Sequence, residues 1–102
     1  MPSADLVQSV LRSLDVLEMV ARSECGLTLQ DISSALGVAA PTAHNLARTL
    51  VARGYLQKTP RPVRYRLGAA CFELVQAQAH RELLRRAGEE VEALGRLFPQ
   101  AS

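Results

Sequence analysis

Residues 27–67 read LTLQDISSALGVAAPTAHNLARTLVARGYLQKTPRPVRYRL, a stretch that predicts two short helices followed by two strands. Thr28 lies three residues before Asp31, which is a capping-box pattern with Asp in place of the usual Glu or Gln. Apolar residues then recur at helical spacing, and Gly37 follows where a left-handed residue commonly ends a helix. The first helix of this stretch is therefore predicted over Leu29–Leu36.

The second helix is predicted between Pro41 and Gly54. Proline suits a first helical position, where its missing N–H would have no partner, and glycine suits the position just after the last turn. Apolar residues at i, i+3, i+4 and i+7 should form its buried stripe: Ala43, Leu46, Ala47 and Leu50. Polar residues fall on the opposite face or at its edges: Thr42, His44, Asn45, Arg48 and Thr49. Because Asn pairs with adenine edges and Arg with guanine edges or phosphate, this face suits the major groove of DNA.

Two strands are predicted next, over Tyr55–Thr59 and Val63–Leu67. Pro60 and Pro62 discourage further strand pairing at the turn and leave Arg61 at its tip. In the second strand, arginines alternate with apolar residues, so one face should pack on the core and the other should carry positive charge. The predicted fold is mainly α with a small β-hairpin, a winged helix-turn-helix in which one helix enters the major groove and the hairpin reaches the flanking backbone.

The positive charge of the chain is concentrated in the same region. The net charge is only +2, but residues 32–72 carry six cations and no acidic residue, for a local charge of +6. Residues 1–31 and 73–102 are net acidic, at −3 and −1. This segregation is typical of a face that binds phosphate, and it favours that interpretation over an ordinary solvated surface.

Four short runs carry a resemblance to the N-terminal DNA-binding domain of IclR-type bacterial transcriptional regulators. These runs are Val7-Gln8-Ser9-Val10, Thr42-Ala43-His44, Leu50-Val51-Ala52-Arg53-Gly54-Tyr55-Leu56 and Tyr65-Arg66-Leu67-Gly68. The resemblance covers residues 7–68 and continues more weakly to about Phe98. It implies a regulator that binds double-stranded DNA as a homodimer on two half-sites, with repression as the commoner mode.

The predicted DNA contacts divide into two groups. The groove-facing residues are Thr42, His44, Asn45, Arg48 and Thr49, with His44 equally able to touch phosphate from the helix surface. The backbone-holding residues are Arg53, Lys58, Arg61 and Arg64. For Arg53 an interaction with the helix dipole near the helix C-terminus is an equal alternative.

The chain also departs from the family pattern. Family members usually carry Pro-Lys-Ser just before the Thr and an Arg just after the His or Tyr. This chain has Ala39, Ala40 and Pro41 at the first place and Asn45 at the second. The loss of a Lys and an Arg favours a second interpretation, a protein-interaction module on a winged-helix scaffold with weak or no specific DNA binding. The basic window opposes it.

A helix is predicted before this region, with Asp5 as its N-cap and its end near Arg22. Its main apolar stripe should pack behind the recognition helix: Leu6, Val10, Leu14, Leu17 and Ala21. A second apolar group falls outside that stripe: Val16, Met19 and Val20. Two interpretations stay open for this group, partial burial against the last helix and contact with a second copy of the chain.

The sequence predicts two parts, a winged helix-turn-helix over residues 5–68 and a helical tail over residues 69–98. By resemblance, the tail is the linker helix plus a remnant of the first effector-domain helix, and the rest of that domain is expected to be missing. We therefore expect no small-molecule effector in this chain. The last apolar stripe is expected to pair with a second copy as a dimerisation helix: Leu84, Ala87, Val91, Leu94 and Phe98.

Other function classes find little support in the sequence. No run of about 18 apolar residues exists and no signal peptide is recognisable, so a cytoplasmic protein without a membrane span is expected. Cys25 and Cys71 match no metal-site spacing and are interpreted as reduced structural thiols. No Ser-His-Asp set, paired carboxylates or glycine-rich phosphate loop can be assembled, so we expect no enzyme activity, no cofactor and no metal.

Overall fold

A computed structural model of the chain describes residues 5–97, with side chains through residue 89. Within this range the elements are α1 Gln8–Arg22, α2 Leu29–Leu36, α3 Ala40–Ala52, β1 Leu56–Thr59, β2 Arg64–Leu67 and α4 Ala69–Leu97. The predicted fold class, mainly α with a small β-hairpin, is confirmed. The chain separates into two compact units, one ending at Cys71 and one beginning at Phe72. The predicted boundary between residues 68 and 69 stays a prediction.

Local signals fix α2 at the predicted residues. The Thr28 hydroxyl accepts a hydrogen bond from the Asp31 N–H at 3.1 Å, and the Asp31 carboxylate accepts one from the Thr28 N–H at 3.0 Å. This closes the capping box and satisfies two amide donors that the first turn leaves without helical partners. Gly37 ends the helix in the left-handed conformation, with φ of 66°.

The recognition helix α3 begins at Ala40, so that Pro41 lies one residue inside the start. Gly54 follows its C-cap with φ of 83°, a conformation that glycine adopts without steric cost. Ala43 and Ala47 are fully buried and Leu50 is nearly so, whereas Leu46 is half-buried. The predicted stripe therefore does face the core, and the opposite face of α3 is left to solvent.

The core of the first unit gathers residues from every element before α4. Two come from α1, one from α2, three from α3 and two from the hairpin: Val16, Val20, Ile32, Ala43, Ala47, Leu50, Leu56 and Tyr65. Because the α3 contribution is mostly alanine, the other helices can approach α3 closely. The position of α3 is thus set by contacts along its whole inner face.

Helix α1 differs from its prediction in two respects. It begins at Gln8 with Val7 as N-cap and no side-chain cap, so the assignment of Asp5 as N-cap is wrong. Its buried residues are Val16 and Val20, at 0% and 3% exposed, so of the two interpretations left open for them, contact with a second copy is wrong. Their side chains are already enclosed by the chain's own core.

The predicted main stripe of α1 is largely outside the core. Leu6, Val10 and Leu14 are between 43% and 53% exposed. Leu17 is half-buried and packs against the core, as does Met19, for which contact with a second copy was one of two open interpretations. Helical periodicity finds both apolar faces of α1, but the docking of its C-terminal half on α2, α3 and β2 decides which face is buried.

The hairpin is one residue shorter at each strand start than predicted. β1 and β2 pair antiparallel, with Leu56 opposite Leu67 and Thr59 opposite Arg64. Tyr65 is buried as expected, whereas Val63 lies in the turn and is half exposed, so its assignment to the core face is wrong. Leu27 adds a bridge to β2, since its N–H and C=O both bond to Tyr65 at 3.0 and 2.7 Å.

In the second unit, α4 carries exposed apolar residues and a set of ion pairs on its own surface. Leu84 is 60% exposed, and its pairing with a second copy stays a prediction. The Glu82 carboxylate pairs with Arg86 at 3.1 Å and also with Arg85. The Val91 and Leu94 side chains and all of Phe98 lie outside what the structure describes. None of the described helices is long and apolar enough to cross a membrane.

Candidate nucleic-acid interface

The outer face of α3 presents the predicted groove-facing side chains together. His44, Asn45, Arg48 and Thr49 are exposed, and Thr42 is half-buried at the first turn. Arg48 Nη2 donates to Asn45 Oδ1 at 3.5 Å, so the guanidinium and the amide lie side by side. Both groups retain unused donors, which is the chemistry that base edges and phosphates accept.

Thr49 is less available than the sequence suggests. Its hydroxyl donates to the Asn45 carbonyl one turn back, at 2.7 Å. The hydrogen is therefore engaged within the helix, and the oxygen can only accept from a ligand. Asn45 and Arg48 therefore have more free donors for a ligand than Thr49 has.

Cations surround α3 at its C-terminus and along the hairpin. Arg53 is the exposed C-cap of α3, and Lys58 is exposed on β1. Arg61 is exposed at the tip of the turn in a left-handed conformation, with φ of 49°. Within the part of the chain whose side chains are described, none of the cations of α3 and the hairpin forms an ion pair. Their charge is available to an external anion.

Arg64 differs from the other predicted backbone contacts. It is half-buried, and its Nη1 donates to the Gly26 carbonyl at 3.5 Å. Hydrogen bonds from the Thr28 backbone and side chain lower the pKa of Asp31, and the positive charge of Arg64 lowers it further. Arg64 is therefore held by the chain's own loop. The Leu27–Tyr65 bridge brings that loop beside β2, and no local sequence pattern announces this pairing.

Two arginines of the first unit that lie near α3 or on the hairpin, Arg12 and Arg66, are absent from the predicted contacts. Arg66 is exposed on β2, on the same hairpin face as its register partner Gln57. The alternation of arginines in the strand is a signal that could have included it. Arg12 is half-buried on α1 and lines a groove that α1 forms with α3. Apolar periodicity predicts that α1 packs on the recognition helix, but no local pattern places Arg12 in the groove between them.

The described residues offer few groups for metal binding or thiol chemistry. They contain no group of three or more His, Cys, Asp or Glu side chains that could hold a metal ion. Cys25 is an exposed free thiol, and Cys71 is a half-buried one that donates to the Tyr55 carbonyl at 3.3 Å. What the described surface offers is positive charge and amide donors on one helix and one hairpin.

Comparison with known proteins gives a consistent result. The IclR helix-turn-helix domain matches residues 9–60 of the chain. The glycerol operon regulatory protein of Streptomyces griseus is 41% identical over 68 residues, which are 67% of this chain and 27% of that protein. HTH-type transcriptional regulator XynR of Escherichia coli is 35% identical over 68 residues, with the same shares.

A solved structure extends this similarity to the fold. The crystal structure of an IclR transcriptional regulator from Alicyclobacillus acidocaldarius matches with a TM-score of 0.64 and 32% identity, over 70% of this chain and 29% of that chain. This chain therefore spans only about a quarter of the length of the regulators it resembles.

Proposed function

The chain belongs to the IclR family of helix-turn-helix domains, and from that premise we propose that it binds promoter DNA as a dimeric repressor. The recognition helix α3 would lie in the major groove, with Asn45 and Arg48 at base edges. The hairpin would hold the phosphate backbone through Lys58 and Arg61. Occupation of the promoter would exclude other DNA-binding proteins from it.

One observation carries this proposal more than any other. The outer face of α3 is exposed and cationic, and it lies in a window from residue 32 to residue 72 that contains no acidic residue. Asn45 and Arg48 are adjacent on it, 3.5 Å apart, with donors to spare. Since phosphate attraction supplies most of the non-specific affinity and base-edge contacts supply the specificity, this face has both components.

Dimerisation would follow from the second unit. Residues on α4 that are more than half exposed include Phe72, Val75, Leu83 and Leu84. Their burial against a second copy would remove apolar surface from water, at about 25 cal/mol per Å². A symmetric dimer presents two recognition helices, and its target is then a pair of inverted half-sites.

A protein-interaction module is the second candidate. The exposed apolar residues of α1 and α4 favour it, because exposed apolar patches commonly mark sites of contact with other proteins. On this alternative the winged helix would be a scaffold, and duplex DNA would not be retained even at low salt.

Selection of duplexes from a random pool by the 102-residue chain tests the proposal and separates the two candidates. We expect enrichment of an inverted repeat whose half-sites are about 10 base pairs apart, centre to centre. Failure to retain any duplex at about 50 mM salt, where phosphate contacts are strongest, would favour the interaction module. Enrichment of an asymmetric site bound by a monomer, measured by light scattering, would keep DNA binding and remove the dimer.

A further inference from the structure

An open groove of about 570 Å³ runs between α1 and α3, next to the proposed DNA-binding face. Its floor is apolar, with Leu14, Leu17, Leu46 and Leu50 among the lining residues. Its polar members come from both helices: Ser9, Arg12 and Ser13 from α1, and Thr42, Asn45 and Thr49 from α3. Arg12 is thus the cation that α1 contributes to the groove shared with Asn45.

The Arg12 side chain has no internal partner in the described part of the chain. Asp15 lies three residues further along α1, at a spacing that allows an ion pair, yet no such pair forms. Arg22, on the same helix, is paired with Glu18 at 3.9 Å. Arg12 is half-buried, and its guanidinium donors have no acid or acceptor among the described residues. Charged donors that leave bulk water are normally hydrogen-bonded, so an external acceptor would complete this site.

We propose that Arg12 is a DNA phosphate contact on α1, a second point of attachment beside the recognition helix. This inference rests on the proposed DNA binding by α3. With α3 in the major groove, a neighbouring helix lies along the groove wall, which is formed by the sugar-phosphate backbone. Arg12 lines this groove together with the apolar residues of its floor, an arrangement in which an aliphatic stem can pack on apolar surface while the guanidinium stays available to a ligand. The guanidinium geometry matches phosphate oxygens two at a time.

Partial burial of the Arg12 side chain also means that this contact should cost little entropy to form. A side chain that is already half-buried in the free protein loses fewer rotamers on binding than a fully exposed one. Arg12 therefore differs from Arg61, whose exposed position at the hairpin tip leaves it to be ordered by the DNA.

Salt dependence of binding tests this assignment. The probe is a duplex of about 30 base pairs and mixed sequence, long enough for two half-sites a helical turn apart. The logarithm of affinity against the logarithm of salt concentration is measured for the wild type and for Arg12→Gln. Loss of one phosphate contact per chain removes two contacts from the proposed dimer complex, so the slope is expected to fall by about 1.8. Between about 50 and 200 mM salt, the affinity of the wild type should therefore fall by a factor about 12 times larger than that of the variant.

Two further variants identify the cause of any change. Arg22→Gln removes the same charge from the far end of the same helix, and it should leave the slope at the wild-type value. Arg12→Lys keeps the charge and should preserve most of the slope, with a modest loss of affinity because the bidentate fork is gone. Phosphate-ethylation interference on the same duplex gives a second measurement, in which Arg12→Gln should no longer respond to one modified phosphate.

The outcomes separate this inference from the function on which it rests. If the wild type binds the duplex and Arg12→Gln shows an unchanged slope and an unchanged interference pattern, Arg12 is not a phosphate contact and only this inference fails. Equal slope losses in Arg12→Gln and Arg22→Gln would also overturn it, since overall charge would then explain the effect. If the wild type fails to bind any duplex at low salt, the proposed function and this inference fall together.

Discussion

Replacement of Gly68 by alanine is expected to destabilise the first unit by about 3 kcal/mol or more. Gly68 is buried, and its backbone lies against the end of the recognition helix. A Cβ at this position would overlap the carbonyl group of Gly54 and approach the Leu56 carbonyl carbon to 3.0 Å. Both obstacles are backbone atoms, which cannot rotate away as a side chain can, so the chain itself must move.

The contacts around Gly68 explain why that movement is costly. Its N–H donates to the Tyr55 carbonyl and the Ala70 N–H donates to the Gly54 carbonyl, both at 2.9 Å. These bonds join the end of α3, the start of β1 and the first turn of α4. To make room for a methyl group, the junction must lose at least one of them, and an unpaired buried backbone group costs about 1–3 kcal/mol.

Urea unfolding followed by circular dichroism measures this effect, with Gly88→Ala as the matched control. Gly88 lies in α4, where an added Cβ has nothing within 4 Å. That substitution should be neutral or stabilising by roughly 0.5–1 kcal/mol, since alanine is the better helix former. An equal urea midpoint for Gly68→Ala and the wild type would show that the junction is looser than described.

Replacement of Arg48 by alanine is expected to weaken binding to a selected operator by about 1–3 kcal/mol, or roughly 5- to 150-fold. The loss should be concentrated at one base-pair position, where the variant would no longer discriminate between bases. Arg48 is exposed and lies against Asn45, so its removal leaves the fold intact. Affinity for a panel of duplexes with single substitutions, measured by fluorescence anisotropy, reports both effects.

Arg61→Ala is the matched control for Arg48→Ala. It removes the same charge from the hairpin tip, outside the recognition helix. Because the proposed dimer carries two copies, its expected effect is a reduction in the salt slope by about 1.8, with little change in base preference. An Arg48→Ala protein that binds the operator and its variants like the wild type would refute the assignment of Arg48 to a base edge.

Local signals explain why so much of the fold could be predicted. The ends of α2 are set by Thr28, Asp31 and Gly37, all within or beside the helix that they define. The orientation of α3 follows from one stripe of small apolar residues on an otherwise polar helix. In both cases a single short segment contains all of the information, and its pattern has one physical solution.

Non-local contacts explain what could not be predicted. Helix α1 has two apolar faces, and its burial is decided by docking on elements that follow it in the chain, so periodicity alone does not show that Val16 and Val20 form its buried face. The position of Arg64 depends on a hydrogen bond to Gly26, 38 residues away. Arg12 and Asn45 line the same groove only because α1 packs against α3. Sequence periodicity describes each helix separately and carries no information about such crossings.

Backbone amide chemical shifts during titration with a selected duplex test the central claim most directly, which is that α3 and the hairpin form the DNA-binding face. We expect the largest changes over residues 42–53 and at the hairpin cations, with a smaller group around Arg12. The amides of α2 and of α4 beyond Cys71 should change little. Any dimer contact of α4 already exists in the free protein and so adds no change on titration. Changes confined to α2 or α4, or an unchanged spectrum at low salt, would contradict the account.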